Sequence, residues 1–536
     1  MKKFLRQVIL SPVNVCIIMF LAAAIGHLGA EEHPQPNPEW NQWRGPNRDG
    51  VSDETGLLKS WSESGPNVLW RTPAKDGYSG IAISQGRLYT METEWESELA
   101  TCRLVSTGKR VWAFRTDAKL HNGHGDGPRS TPIVDGDRVF VLSAYGKLYA
   151  LDANTGTELW KRDFVEEFGS DRPGWGFCSS PIIDGDLLVA EVGGKESSIV
   201  AFDKHNGEVV WETHKGGVGF SSPIAITFNE QRQLLFLTPG SLVSVSPTDG
   251  EIYWEYPWPG GINIATPIFI PPDKIFLSCA YDKGSVLLQM GTDDEGTFAE
   301  MVWENKVMKN HFNSSVLLGN YLYGFDNAIL KCITVDTSVE QWKTRGFGKG
   351  TLILADGHLI ILGENGKLAL AEATPEAYIE KAQVQVVDGR CWTIPTLADG
   401  KLYVRNQKEI VCVELMRYIP PPPVVGAWVG TWGVSGAPKE HQQQLDCQVV
   451  AVSTNQWQAT FEGECGRPYK YTIEMLGKQA GDIVLFKGSA DLGEADGGVY
   501  DWIGRASADK FVGFYTSQKY TGTFEMTRTS TTDEKP

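Results

Sequence analysis

The sequence predicts an all-β protein: an eight-bladed β-propeller followed by a small antiparallel β-barrel or sandwich domain. Three observations predict it. One phrase of about 45 residues is rewritten along residues 66–416, and a fixed period of that size built from short strands and turns marks a propeller. Each clear copy closes on a Gly followed four residues later by a Trp, as at Gly108/Trp112, Gly156/Trp160, Gly207/Trp211 and Gly250/Trp254. Beyond a proline run the composition turns to alternating aromatics and glycines, with no helical stretch.

Residues 1–30 read as a signal peptide. Lys2, Lys3 and Arg6 form a positive start, Val13 to Leu28 is mostly apolar, and cleavage is expected after Ala30, with Gly26 the alternative. An uncleaved anchor is the other reading, although the stretch is short for a membrane span. Cys16 lies inside the apolar run, whereas a lipid-modified cysteine would follow small residues at the cleavage point. No later segment is apolar enough to cross a bilayer. The expected product is an exported, soluble monomer, in the periplasm or outside the cell.

Residues 31–65 are an N-terminal extension, read as packed against the ring and carrying Trp43-Arg-Gly-Pro-Asn-Arg-Asp-Gly-Val-Ser52. The ring itself is assigned to residues 66–418. In each unit the first strand follows a head such as Ser130-Thr-Pro132, Ser180-Pro181, Ser222-Pro223 or Thr266-Pro267. It ends at a turn such as Asp135-Gly136 or Asp356-Gly357, because Gly tolerates positive φ. An apolar second strand follows (Arg138 to Ala144), then an alternating third (Lys147 to Asp152) and a fourth ending on Trp. First strands begin near residues 79, 130, 179, 221, 265, 314, 350 and 393, which gives eight units. Seven is the alternative count, since the fifth to seventh units are degenerate. The last unit has no Trp strand, and Pro66-Asn-Val-Leu-Trp70-Arg has no owner. Residues 66–72 are therefore expected to complete the eighth blade, which removes open edges. One Trp per repeat at a fixed place reads as inter-blade packing rather than a cofactor box.

A stiff Pro-rich linker spans 419–424, with Pro420 to Pro423 at its centre. Residues 425–530 open on Gly426-Ala-Trp-Val-Gly-Thr-Trp432 and continue through Gly498 to Gly504, Phe511 to Tyr515 and Tyr520 to Thr527. They predict the small barrel or sandwich, either filled or holding a small apolar ligand. Residues 531–536 are expected to be a disordered tail.

Removing residues 1–30 takes away three bases and no acid, so the formal charge moves from −17 to −20. That acidity argues against a nucleic-acid partner, which demands a basic footprint, and against anionic membrane surfaces. Eight of the nine cysteines lie beyond the signal, none adjacent to another and none in C-x-x-C spacing. In an oxidising compartment Cys447 and Cys465 form the first candidate disulfide, and Cys391 with Cys412 a second. The others read as buried thiols.

In a propeller the first strands line a central channel and the loops before them form its mouth. Aligning the units on their heads brings Tyr78, Arg129, Trp175, Phe177 and Phe220 to that rim. From the later units it brings Asn263, His311, Asn313, Lys349 and Trp392. The richest loop is His121-Asn-Gly-His124-Gly-Asp126-Gly-Pro-Arg129. Its two imidazoles and carboxylate permit metal binding, acid–base work or simple pocket lining, and its Gly-rich spacing fixes no geometry, so no metal is assigned. Arg129 is a fixed cation suited to a carboxylate or quinone oxygen.

The Asp-x-x-x-Gly-x-x-x-Trp ending (Asp152 to Trp160, Asp203 to Trp211) resembles the repeat of pyrroloquinoline-quinone (PQQ) enzymes over residues 66 to 416. Families sharing it include quinoprotein alcohol dehydrogenases and the BamB-type scaffold of outer-membrane protein assembly. The segment from Trp43 to Ser52 resembles the start of exported bacterial members. The Gly-x-Trp opening at Gly426 is similar to that of lipocalin- and avidin-like barrels. The quinoprotein resemblance implies PQQ on a vicinal disulfide, calcium held by a Glu/Asn/Asp set, and an Asp base. This sequence has no adjacent cysteines, and no acid at the rim positions of blades four to eight, where Phe220, Asn263, Asn313, Lys349 and Trp392 stand instead. No catalytic residue is assigned. The leading expectation is a non-enzymatic exported propeller that binds a protein or small ligand at its rim, with the C-terminal domain as a second binding module. The alternatives are a PQQ-dependent or other oxidoreductase using the channel, and a BamB-like assembly partner.

Overall fold

The computed structural model of the chain describes residues 39–416, 423–435, 442–453, 456–464, 470–480, 483–494 and 497–529. The expected signal peptide, most of the proline linker, Cys465 and the C-terminal tail lie outside the described residues. The chain divides into two compact units, Met1–Met416 and Arg417–Pro536.

The first unit is an eight-bladed propeller among the described residues. Blade 2 shows the pattern, with strands Ile133–Asp135, Arg138–Leu142, Lys147–Asp152 and Glu158–Asp163 in antiparallel order. Its second and third strands are buried on both faces between neighbouring blades, so they read as apolar runs. The outermost strand faces neighbours on one side only, and it buries Trp160 while exposing Glu158 and Lys161. The single helix among the described residues, Phe164–Phe168, follows this strand and is capped by Asp163. Blade 8 is completed by Val68–Pro73, which pairs antiparallel along Glu409–Glu414 with Trp70 opposite Cys412.

The two ends of the repeated phrase have separate tasks. Trp70, Trp112, Trp160 and Trp211 each lie on the Gly of the next blade's tail, Gly108, Gly156, Gly207 and Gly250 in turn. A Cβ at Gly156 would stand 2.6 Å from the Trp112 ring, and Gly156 has φ +74°. The indole N–H then donates into that next blade: Trp70 to Val105 O, Trp112 to Ala153 O, Trp160 to Lys204 O and Trp211 to Pro247 O. Glycine is required there by close approach and by conformation together. The heads work at the inner edge. The Thr131 hydroxyl accepts from Gly80 N, Ser180 from Thr131 N, Ser222 from Ser180 N and Ser314 from Thr266 N. Each hydroxyl thus satisfies a backbone amide just ahead of the inner strand of the blade before it.

The extension does more than pack against the ring; it fills the channel. Trp40 exchanges backbone hydrogen bonds with Ile83 of blade 1, while Asn41 accepts from Val134 N of blade 2 with its carbonyl and donates to Val134 O from its side-chain amide. The Arg48 guanidinium donates to Ser180 O and Pro181 O of blade 3 at 2.7 Å each. Trp43 reaches Thr266 of blade 5, and Arg44 donates to Ser314 O and Ser315 O of blade 6. Val51–Ser52 adds a short parallel strand to Thr351–Ala355 of blade 7, and Glu54 accepts from Gly400 N of blade 8. Burial lowers the pKa of Arg44 to about 10 and that of Arg48 to about 9, so both stay cationic near neutrality. Carbonyl oxygens rather than carboxylates hold them, which the multi-donor guanidinium permits. Arg44 and Arg48 both adopt φ near +60°, a conformation these bonds hold in place.

The second unit is a closed eight-stranded antiparallel barrel running from Gly426–Val434 to Thr521–Arg528, rather than a sandwich. Its first and last strands pair with Trp432 opposite Phe524. Trp428, Phe461, Phe486, Trp502, Phe511 and Phe524 fill the interior as an aromatic core. Cys447 is buried in that core, and its expected partner Cys465 lies outside the described residues. Cys391 and Cys412 are separate buried thiols, which corrects the second disulfide expectation. Sharing a repeat did not bring them together: Cys412 faces Tyr403 and Trp70 across the sheet, and Cys391 lies in the loop before the inner strand.

Candidate functional site

Because the extension closes the channel from the side of the Asp-Gly turns, the opposite mouth is a blind cup of about 150 Å³. Its wall is a nearly continuous belt of rings. Tyr78, Trp392, Phe312, His311 and Tyr281 follow one another with centroids 4.8–5.3 Å apart. Across the cup Phe220, Trp175 and His124 form a second arc at 5.1 and 5.8 Å. The Tyr78 hydroxyl joins the arcs by donating to His124 O at 2.8 Å. Trp43 forms part of the floor, and Cys178, Ser222 and Ile264 complete the lining.

Of the residues that sequence alignment placed at the rim, Tyr78, His124, Arg129, Trp175, Phe220, His311 and Trp392 line this cup. The others do not. Phe177 turns into the core between blades 2 and 3, where it packs on Phe164. Asn263 and Asn313 are buried and donate to Thr238 O and Gly350 O, so they join loops and inner strands. His121 and Asp126 stand on the outer lip. The His121 ring bridges Asp126 and Glu96, which raise its pKa, and Asp126 also accepts from Asn122 N and Lys119. The two imidazoles of this loop therefore serve different surfaces, and no three metal-ligating side chains converge among the described residues.

Lys349 lies at the margin, its ammonium 3.4 Å from His311 Nε2. Burial, reinforced by the Lys349 cation, depresses His311 to a pKa of about 4, so its ring is neutral at pH 7. Burial lifts the Cys178 thiol to about 12, so it is no thiolate nucleophile. Arg129 donates to Gly127 O and Gly125 O of its own loop and lies 5.5 Å from the Tyr78 ring centroid.

Sequence reading passed over Phe312 and Arg390 in the loops before the first strands of blades 6 and 8, and it missed other contributors by reading only those loops. Tyr281 and Glu364 come from turns between second and third strands, which open on the same face. Glu364 corrects the expectation of no acid near blades four to eight: it accepts from Trp392 Nε1 and Lys349 N. Trp43 comes from outside the repeat altogether. Tyr281 and Asp282 form a turn in which both non-glycine residues take positive φ.

The residues present do not fit a calcium–quinone pair. The cup has a single thiol, Cys178, and no carboxylate on its wall, while Glu364 spends both oxygens on Trp392 and Lys349.

A sequence model of the family described as outer membrane protein assembly factor BamB matches residues 98–344. Among relatives, the outer membrane protein assembly factor BamB of Moranella endobia is 23% identical over 279 residues, 49% of this chain and 69% of that protein. BamB of Yersinia pestis is 25% identical over 280 residues, 52% and 66% of the two chains. Quinoprotein alcohol dehydrogenase PedH of Pseudomonas putida is 26% identical over 199 residues, which is 35% of this chain and 31% of that enzyme. The chain thus spans about two thirds of these BamB relatives and about a third of the dehydrogenase. The solved quinohemoprotein alcohol dehydrogenase of Comamonas testosteroni superposes with a TM-score of 0.51 at 11% identity, covering 76% of this chain and 87% of that one, a likeness of fold. With its repeated heads, its Trp tails and these matches, the chain is an eight-bladed propeller whose repeats are similar to those of the PQQ-like repeat β-propeller family.

Proposed function

We propose that this protein is an exported, non-enzymatic binding protein that takes a small ring-bearing molecule into the aromatic cup. The observation that carries the reading is the closed floor. A propeller channel open at both faces is a water-filled tunnel, whereas one blocked by Trp43 and its neighbours is a concave, largely apolar pocket with a few polar groups. Burial also keeps the Cys178 thiol protonated, so the cup offers no thiolate nucleophile.

Isothermal titration of the full mature chain with small aromatic compounds tests this reading, with tryptophan fluorescence as a second readout. Saturable binding that Trp392→Ala weakens at least tenfold is expected. Failure of every ring compound to bind at millimolar concentration would overturn it. The BamB-named relatives support a second reading, an assembly partner for other exported proteins. That reading predicts co-purification with outer-membrane proteins, undisturbed by Trp392→Ala.

A further inference from the structure

Resting on that reading of the cup, we infer that its ligand is a monocyclic aromatic acid, held with its ring in the belt and its acidic group at the lip beside Arg129 and Arg390. Size is the first argument. An apolar cavity of about 150 Å³ holds one benzene-sized ring, and a fused three-ring system would not fit inside it.

Charge is the second argument. The chain carries 66 acids against 49 bases, and its lysines are widely paired, as in Lys119 with Asp76 and Asp126, Lys204 with Asp135, and Lys274 with Asp336. At this mouth the pairing stops. Arg129, Arg390 and Lys349 make no ion pair among the described residues. Arg129 donates to two carbonyls of its own loop, Arg390 to His124 O at 3.0 Å and the Tyr78 hydroxyl at 3.4 Å, and Lys349 to the His311 ring. Arg390 also lies over the Trp392 ring at 4.4 Å from its centroid. Two guanidiniums therefore flank Tyr78, one held by its loop and one by stacking, with donor hydrogens left over. A carboxylate there would take charge-assisted hydrogen bonds from cations already in position.

Shape is the third argument. The opposed arcs present ring faces and edges to whatever sits between them. An inserted aromatic ring gains stacking and edge contacts on several sides, which a saturated ring of equal size does not.

The experiment titrates the full mature chain with benzoate and 4-hydroxybenzoate. The uncharged isostere benzamide, the saturated acid cyclohexanecarboxylate and pyrroloquinoline quinone run as controls. The aromatic acids should bind at least tenfold more tightly than benzamide and cyclohexanecarboxylate, and at least as tightly as the tricyclic quinone. Arg129→Gln should reduce benzoate affinity at least tenfold with an unchanged melting temperature. If that variant unfolds, the exposed Arg390→Gln serves instead, with a several-fold loss expected. Benzamide equal to benzoate would overturn the acid assignment while the cup reading stands, and so would arginine variants that bind benzoate normally. Quinone binding tighter than benzoate would overturn the single-ring assignment. No binding of any of the five would remove both.

Discussion

The Trp43 indole N–H donates to Thr266 Oγ1 at 2.9 Å, tying a residue outside the repeats to the head of blade 5. This contact joins architecture and site: Thr266 is one of the residues before proline that line the channel, and Trp43 is floor to the cup. Trp43→Ala should therefore open the floor. Ring-ligand affinity should fall at least tenfold, and urea unfolding should show a loss of about 2 kcal/mol for a partly buried Trp. Trp43→Phe, which keeps a ring and removes the hydrogen bond, should cost about 1 kcal/mol and retain binding.

Ring closure rests on Arg405 as well as on the Val68–Pro73 strand. From blade 8 its guanidinium donates to Ser79 O, Met91 O and Lys75 O and to the Thr90 hydroxyl, all at the edge of blade 1. Burial lowers its pKa to about 10, so it remains charged. Arg405→Met leaves those carbonyls buried without a donor. A destabilisation of about 3–5 kcal/mol is expected in equilibrium denaturation. A change below 1 kcal/mol would show that the terminal strand alone holds the seam.

The Trp tails predict a graded glycine series. Gly136→Ala meets open space and carries only the cost of φ +58°, about 1 kcal/mol. Gly156→Ala adds a Cβ 2.6 Å from the Trp112 ring and should cost about 3 kcal/mol in the same assay. Equal losses would mean that the indole moves aside freely.

Two buried carboxyls give the fold a pH dependence. Burial raises Glu98 and Glu191 from 4.5 to about 8. Between those values the folded chain keeps protons that the unfolded chain releases, so the stability these two groups contribute is full below pH 4.5 and is lost as pH rises towards 8. Glu191 accepts only from Gly219 N, and a glutamine oxygen accepts equally well. Glu191→Gln should flatten the decline by a few kcal/mol, on the order of the linkage for such a shift. Urea midpoints at pH 5, 6.5 and 8 check it, and parallel curves for the two proteins would refute it.

How much of this was legible before the structure depends on range. Heads, Asp-Gly turns and Trp tails recur because every blade solves the same local problem, so their spacing announced the ring and its eight units. Aligning copies also brought Tyr78, Arg129, Trp175 and Trp392 to one mouth. It erred at Phe177 and at Asn263 and Asn313. A residue next to the channel can point into the cup, into a core or along a backbone, and a period of about 45 residues does not encode that choice.

By itself, then, the sequence determined the repeat, the blade count and the second aromatic domain, all consequences of local pattern and of turns that demand glycine. Only the tertiary structure decided that the extension enters the channel, that Tyr281 and Glu364 reach the mouth from a second set of loops, and that the C-terminal strands close with a filled core. These are relations between segments far apart in the chain. What fixes them is the demand that buried carbonyls and guanidiniums find partners, as Arg44 and Arg48 do across the ring.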